Sequence, residues 1–319
     1  MYLMKSFLKI SLISLVFIVP SLGGIYFILN RSEVPPVLPP SLTPAESHEY
    51  YRDSFTLLAH DAEGIPLTMD MDFSRKQKNG TFIHYYSGTL FYGDQEQSFF
   101  TQFKSDEVEP QPHQFLNSYE AKTFPDLSTR ATHELSLSTD FGELSFAIET
   151  EGDFLTKNTL DHLRFTSATE ATLTLGEQSF PAQILWENAS SADYTKSIFF
   201  EGRDDLNSES HVFTLWDEAG NFYHIDQTVA DGDQKHYASH TWVLYKNAAE
   251  HSTQKSYEAV VLLSQTGATI ELPEWGDAIT LTAPKNWDLK DSEGYISGTL
   301  VSADGTSQTI EGFFKNVVY

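Results

Sequence analysis

Cysteine is absent from the 319 residues of this chain. Its absence excludes disulfide bonds, thiolate nucleophiles, cysteine-ligated zinc and a lipidated cysteine. Basic residues are also scarce, with 20 Lys and Arg against 45 Asp and Glu and a net charge of −25. Such a surface repels phosphate backbones and anionic lipid headgroups, so we expect no nucleic-acid partner. The acidic excess is typical of a soluble surface, and a cationic partner is the second interpretation.

Familiar catalytic signatures are missing as well. The sequence has no Gly-x-Ser-x-Gly elbow, no phosphate-binding glycine loop and no His-Glu-x-x-His helix. His236 and His240 have a spacing that suits a metal on a helix, but no third ligand stands near them. Asp231 and Asp233 flank a glycine as in an ordinary acidic turn. We therefore predict neither a metal nor a cofactor.

An uncharged apolar segment covers residues 10–29. A span of about 20 residues is long enough to cross the hydrocarbon core of a bilayer as a helix. Lys5 and Lys9 before it, against Arg31 after it, favour an N-terminus on the inner side. A cleaved signal peptide is the competing interpretation, because Pro20 and the small residues after it resemble a cleavage region.

The retained segment predicts a bacterial cell-envelope protein, anchored in the inner membrane with its C-terminal bulk in the periplasm. Cleavage would instead give a secreted protein. Prolines crowd the next stretch, which predicts an extended spacer, and a capping box at residues 43–46 predicts a short helix to about Arg52. The domain prediction is membrane anchor or signal over 1–32, linker and helix over 33–50, and two β domains over 51–166 and 167–319.

Strand patterns dominate from Phe55 onward, with runs of aromatic and β-branched residues separated by Gly, Asp and Asn. Three hairpins are indicated, at residues 81–103, 211–229 and 295–318. Residues 153–164 are the least strand-like and predict one or two helical turns. With short loops and no long helix to cover a parallel sheet, the fold class is all-β, as antiparallel barrels or sandwiches.

Aromatic side chains are abundant in both predicted β domains. On the strands of a barrel, alternate side chains point inward and line either a packed core or a cavity. Trp242 belongs to such a group in the second half and is a candidate ligand-binding residue. Core packing is the simpler interpretation for any single aromatic residue. An apolar pocket with a few polar groups is the alternative for the group as a whole.

The order of several segments resembles the family of carotenoid hydratases (hydroxyneurosporene synthases) and AttH-type proteins. The segments that carry the resemblance are residues 85–90 with Gly93 and 98–100, residues 171–180 with Trp186, Glu187 and Asp193, residues 211–226, and residues 294–298 with 312–319. The resemblance covers the chain from about residue 55 to its end. The chain departs from the family pattern at Phe213 and Trp216, where a more tryptophan-rich stretch is typical.

This resemblance implies two lipocalin-like barrels in tandem. Carried over residue by residue, it implies that His211, Phe213 and Tyr223 line a pocket in the second barrel, with Asp226 as the candidate catalytic acid. A carboxyl in an apolar pocket gains a raised pKa and so becomes a proton donor. Exposure of Asp226 at the surface is the plainer alternative.

Three functions remain open from the sequence. The first is a lipocalin-like protein that binds or carries an apolar lipid or isoprenoid near the membrane. The second is a hydratase or isomerase of a carotenoid-like substrate. The third is a non-enzymatic partner in an envelope assembly. The sequence does not decide whether the chain is an enzyme.

Overall fold

The computed structural model describes residues 49–124, 127–151, 153–156, 161–193, 208–230, 240–284, 287–288 and 292–318. Every regular element in these residues is a β-strand, and they contain no helix long and apolar enough to cross a membrane. The predicted membrane segment, the proline-rich spacer and the start of the predicted short helix lie outside the described residues. So do His236 and the acidic turn at 231–233.

Ten strands form the first sheet. They are β1 (Tyr50–His60), β2 (Pro66–Lys78), β3 (Thr81–Tyr92), β4 (Gln95–Ser105), β5 (Leu116–Phe124), β6 (Leu127–Thr139), β7 (Gly142–Glu151), β8 (Asp153–Thr156), β9 (Asp161–Leu175) and β10 (Gln178–Ser191).

Nine strands form the second sheet. They are β11 (Ser208–Asp217), β12 (Phe222–Ala230), β13 (His240–Asn247), β14 (Ser252–Ser256), β15 (Val260–Ser264), β16 (Gly267–Leu272), β17 (Asp277–Thr282), β18 (Ser292–Val301) and β19 (Ser307–Val318).

The two sheets share one topology. In each, the first strand pairs with the last, β1 with β10 and β11 with β19, and the other strands follow outward from this pair. The sheet ends at β4 and β5 in the first case and at β14 and β15 in the second. All the pairings are antiparallel, as short loops between neighbouring strands require.

Each sheet is a curled half-barrel, which corrects the expectation of closed barrels. The backbone pairing described for the first sheet does not join β4 to β5. Side chains bridge this gap instead: Phe99 meets Phe115 at 4.9 Å between ring centroids, and Phe103 stacks on His113 at 4.1 Å. Thr101 Oγ1 also lies 3.2 Å from His113 Nδ1. We call this side-chain contact between β4 and the segment before β5 the seam.

The local structure contains the predicted hairpins but not the predicted helical segments in the described residues. All three predicted hairpins are confirmed, as β3–β4, β11–β12 and β18–β19. The helical turns predicted at 153–164 are wrong for the described residues, because β8 and the start of β9 pair with each other there. The short helix predicted to extend to Arg52 is wrong at its end, since β1 begins at Tyr50 and pairs on both sides.

The predicted boundary between residues 166 and 167 falls inside β9. Both β9 and β10 belong to the first sheet, because β10 pairs with β1 along ten residues of each strand. The chain passes to the second sheet only after Ser191. That two separate domains exist stays a prediction.

Alternation along the strands gives each sheet an inner face with its own apolar core. The inner residues of the first sheet include Phe55, Leu57, Leu67, Met69, Met71, Leu90, Leu135, Leu137, Leu144, Phe146, Leu173, Ile184 and Trp186. Those of the second include Phe213, Leu215, Tyr223, Ile225, Val243, Ile270, Ile279, Ile296, Leu300, Ile310 and Phe314. Burial of these side chains is the main force that curls each sheet on itself.

Outer faces of the two sheets pack against each other through a third apolar cluster. Phe165 of β9 lies 5.1 Å from Trp242 and 5.2 Å from His224, measured between ring centroids. A partly buried ion pair reinforces the contact, with Lys315 Nζ 3.1 Å from an oxygen of Asp70. Two clefts, of about 310 Å³ and about 580 Å³, lie between the sheets beside this contact.

Three glycines sit within strands where the neighbouring strand approaches closely. A Cβ on Gly312 would lie 2.0 Å from the backbone oxygen of Thr214, and a Cβ on Gly298 would lie 2.0 Å from that of Thr280. A Cβ on Gly88 would lie 2.2 Å from the backbone oxygen of Asp70. Strand glycines of this kind mark bends and close backbone approach, so these positions permit the strong curl of both sheets.

Replacing Gly312 with Ala should therefore separate β19 from β11 and lower the free energy of unfolding by about 3 kcal/mol. Gly176→Ala is the matched control, because its Cβ meets open space and only the left-handed φ of 60° resists it. The control should cost about 1 kcal/mol. Urea denaturation of both variants measures the difference, and equal losses would contradict the close approach.

Candidate functional site

A buried carboxylate lies at the centre of the most elaborate polar group in the first sheet. Asp53 is 1% exposed, and four side chains donate hydrogen bonds to it. Tyr51 and Tyr119 hydroxyls donate to Oδ2 at 3.0 and 2.7 Å. Trp186 Nε1 and Asn188 Nδ2 donate to Oδ1 at 3.0 and 2.9 Å. We call these five residues the Asp53 network.

Strand register explains how distant residues meet in this network. Asp53 in β1 stands opposite Asn188 in β10, and Phe55 stands opposite Trp186. Residues two apart on a strand share a face, so Tyr51, Asp53 and Phe55 all point to the inner side. The pairing of the first strand with the last thus places donors from both ends of the sheet around one carboxylate.

Burial and hydrogen bonding act on Asp53 in opposite directions. Loss of hydration raises the pKa of its carboxyl, while the hydrogen bonds from Asn188, Tyr119, Trp186 and Tyr51 lower it, and the net direction is upward. Each carboxylate oxygen accepts two hydrogen bonds, which is the full complement for the ionised form. The site therefore holds a carboxylate whose proton affinity exceeds that of an exposed aspartate.

His133 extends the network toward the apolar part of the interior. Its Nδ1 lies 3.2 Å from the Tyr119 hydroxyl oxygen, and its ring centroid lies 4.6 Å from that of Trp186. The residue is fully buried, and burial lowers its pKa to about 3. His133 is therefore neutral at physiological pH. Its Nε2 is buried and has no hydrogen-bond partner among the described residues.

Further polar groups occupy the same end of the inner face. Arg164 of β9 is 1% exposed, and burial lowers its pKa to about 10 while the nearby negative charge of Asp53 raises it. Arg75 of β2 lies over the Phe82 ring at 4.7 Å. His84 of β3 stacks against Phe103 of the seam. Together with the Asp53 network and His133, these residues form what we call the polar end of the first sheet.

Three of the ligand-binding residues predicted from the sequence share the interior of the second sheet. Phe213 and Tyr223 belong to its apolar core, and burial raises the pKa of the Tyr223 hydroxyl. His211 is buried on the same side, with Nδ1 3.2 Å from Asn316 Oδ1. The structure brings these three to one face, as expected. Their role in binding stays a prediction.

The other two predicted site residues lie on the opposite face, which corrects the expectation of one shared pocket. Tyr223 and Asp226 are three positions apart on β12, so their side chains point to opposite sides of the strand. Asp226 stands beside Trp242 of β13, and Trp242 packs against Phe165 of the first sheet. Trp242 thus contributes to the contact between sheets. The catalytic role assigned to Asp226 stays a prediction, now without the inner pocket that motivated it.

The polar end was missed because its key strand begins where the sequence predicted a helix. The alternating order of Tyr51, Asp53 and Phe55 is a strand signal that places a carboxylate between two aromatic residues on one face. The remaining members are scattered over 135 residues of sequence, and no local pattern connects them. Among the described residues no group of three acidic or histidine side chains is suited to hold a metal.

Chemically, the polar end combines a carboxylate of raised proton affinity, two phenols and a neutral imidazole in one dry environment. Such groups can fix the polar atom of an otherwise apolar molecule or exchange a proton with it. The arrangement of few convergent polar groups beside a large apolar surface is typical of ligand sites.

The lowered pKa of His133 gives the fold a defined dependence on pH. Folding favours the neutral ring, so its stabilisation is present above 6.5, the ordinary pKa, and is lost as pH falls toward about 3. Between these two pH values, unfolding takes up about one proton on His133, so the free energy of unfolding changes by about 1.4 kcal/mol per pH unit. His133→Phe should remove this contribution to the slope. Tyr119→Phe keeps the imidazole and should retain the slope. Urea unfolding at a series of pH values tests this, and an unchanged slope in His133→Phe would refute it.

No protein-family model matches the chain, and no curated protein sequence matches it. Solved structures do. An AttH-like protein from Nitrosomonas europaea is similar with a TM-score of 0.57 and 10% identity, over 89% of this chain and 98% of that one. Kievitone hydratase from Nectria haematococca is similar with a TM-score of 0.54 and 10% identity, over 90% of this chain and 94% of that one. The expected likeness to AttH-type proteins is thus confirmed for the lipocalin-like fold alone.

Proposed function

We propose that this chain is a lipocalin-like protein that binds an apolar small molecule, lipid or isoprenoid, inside the first sheet. The observation that carries the proposal is the division of one inner face into a long apolar surface and a polar end built around Asp53. An apolar ligand body would replace apolar side-chain contacts, and the polar end would fix its orientation.

The apolar part of the interior is suited to rearrangement. Met69 and Met71 of β2 point into it, beside Leu67 and Leu90. Methionine side chains are flexible and polarizable, so they adapt to ligands of different shape. These side chains belong to the apolar core of the first sheet, and a ligand would displace them. Burial of ligand surface at about 25 cal/mol per Å² supplies the affinity.

The seam is the proposed entry route for the ligand. Opening it breaks two ring contacts, Phe99 with Phe115 and Phe103 with His113, and the hydrogen bond between Thr101 and His113. The backbone pairing of the strands in the first sheet stays intact. Aromatic contacts of this kind contribute about 1 kcal/mol each, much less than a strand of backbone hydrogen bonds. A ligand would therefore enter sideways between β4 and β5.

We also propose that the chain works in the bacterial envelope, held at the inner membrane by residues 10–29 with its β-sheets in the periplasm. The support is the length and lack of charge of that segment, with a secreted form as the alternative. A membrane tether would keep the binding protein close to the source of apolar molecules. A protein partner in an envelope assembly is compatible with this location.

A second candidate function is a hydratase or isomerase of an isoprenoid-like substrate. The observation in its favour is the closeness of Asp53, Tyr119 and His133, because alkene chemistry of this kind needs an acid and a base in a dry apolar site. In this case Asp53 would first have to take up a proton in place of one of its four hydrogen bonds, would then transfer that proton to the substrate, and His133 would accept the proton released by the attacking water.

Organic extraction of the purified full chain, followed by mass spectrometry, tests the binding function. We expect an apolar molecule in near-stoichiometric amount. Phe99→Glu would place a charge against the apolar interior and should abolish its recovery, whereas Phe100→Glu on the outer face should not. Absence of any extracted apolar molecule, together with no uptake of farnesol by the purified chain, would eliminate the proposal.

Entry through the seam predicts a kinetic effect. Phe115→Ala removes one ring from the seam and should speed farnesol uptake about fivefold, because less contact energy is lost on opening. Phe100→Ala is the matched control, since Phe100 lies on the same strand as Phe99 but is 67% exposed. Stopped-flow tryptophan fluorescence measures both rates. A rate that does not respond to Phe115→Ala argues against lateral entry.

Two aspartate variants separate binding from catalysis. If the chain is an enzyme that uses the polar end, Asp53→Asn should lower turnover of an isoprenoid alkene at least about a hundredfold, because it removes the acid. If Asp226 is the acid instead, Asp226→Asn should have that effect. Product formation is followed by chromatography, with farnesol binding as the measure of an intact site. If the wild type binds farnesol but does not turn over the alkene, the hydratase or isomerase function would be excluded.

A further inference from the structure

His133 places a hydrogen-bonding atom in the interior of the first sheet that no described residue uses. Nε2 is buried and has no hydrogen-bond partner among the described residues, whereas Nδ1 contacts Tyr119. A buried polar atom without a partner destabilises the fold, because it has lost its hydrogen bonds to water. The cost is recovered when a ligand supplies the missing partner.

The Asp53 network determines which partner Nε2 needs. The Tyr119 hydroxyl has one proton, and its shorter contact, 2.7 Å, is with Asp53 Oδ2. Tyr119 therefore donates to the carboxylate, and its oxygen accepts a hydrogen bond from His133 Nδ1–H. With the ring neutral and its proton on Nδ1, Nε2 carries only a lone pair. It can accept a hydrogen bond and cannot donate one.

The His133 ring packs among aromatic side chains. The His133 ring lies 4.6 Å from Trp186 and 5.6 Å from Phe55, measured between centroids, and Phe55 in turn contacts Phe146 at 5.4 Å. Flat or unsaturated hydrocarbon packs well against such rings. These aromatic rings thus favour an apolar ligand body, and Nε2 favours a single hydrogen-bond donor on that ligand.

Resting on the proposed binding function, we propose that the ligand is an apolar molecule with a hydroxyl group that donates its hydrogen bond to His133 Nε2. Hydrocarbons lack the donor, and ethers and ketones offer only acceptors, so both leave Nε2 without a partner. Tyr119 acts as a positioning residue, because its donation to Asp53 keeps the proton of His133 on Nδ1. The ligand class is accordingly an alcohol such as a prenyl alcohol.

Farnesol and farnesyl methyl ether form a matched pair of probes, equal in apolar body and different in the one donor. Equilibrium dialysis with the purified full chain should give about tenfold tighter binding of the alcohol, the gain from one hydrogen bond to a buried acceptor. In His133→Phe the preference should fall to within about twofold, with the affinity for the ether retained. In Tyr119→Phe the preference should also fall, although the imidazole is still present.

The outcomes distinguish the two proposals. Equal binding of alcohol and ether by the wild type would overturn the inference and leave apolar-ligand binding standing. Binding of neither probe would overturn both. If His133→Phe does not fold, the wild type and Tyr119→Phe carry the test by themselves. Nitrogen NMR of His133 adds an independent check, because a proton on Nε2 in the unliganded chain would contradict the assignment.

Discussion

Pairing of the first strand with the last is the constraint on which the architecture depends. It turns each run of short hairpins into a curled half-barrel, and it fixes the register of β1 against β10. That register brings Trp186 and Asn188 to Asp53 across more than a hundred residues of chain. One long-range contact thus determines both the shape of the sheet and the composition of its polar end.

The polar end combines a rigid hydrogen-bond network, which stabilises the fold, with one polar atom that remains available for a further hydrogen bond. Four donors around Asp53 and the stacking of aromatic rings make the network rigid, while the dry surroundings keep His133 neutral. A fully satisfied network would serve packing alone. Here Nε2 of His133 is buried without a hydrogen-bond partner among the described residues. In the proposed binding function, rigid groups behind such an acceptor would orient a ligand with little loss of entropy.

Local signals in the sequence were sufficient for the hairpins, since Gly93 and the acidic-glycine turns specify tight connections between alternating strands. The same local signals were insufficient to predict which strands pair to form each sheet. Nothing near β9 reveals that it returns to the first half, because that depends on a distant partner. The Asp53 network could not be predicted for the same reason, because its members are distant in sequence. Tyr223 and Asp226 are three positions apart on β12 and so lie on opposite faces of the strand. Strand alternation, applied strictly, would have separated those two residues and grouped Tyr51 with Asp53.

Half-barrels that remain open leave strand edges with unused amide and carbonyl groups, and such edges can pair with another chain. Along β4 the outward positions carry Glu96 and Lys104, whose hydration opposes edge-to-edge association. Between these charges, however, lies the exposed ring of Phe100. The seam, through which we propose that a ligand enters, is therefore also where self-association would begin if crowding or partial unfolding widened the gap.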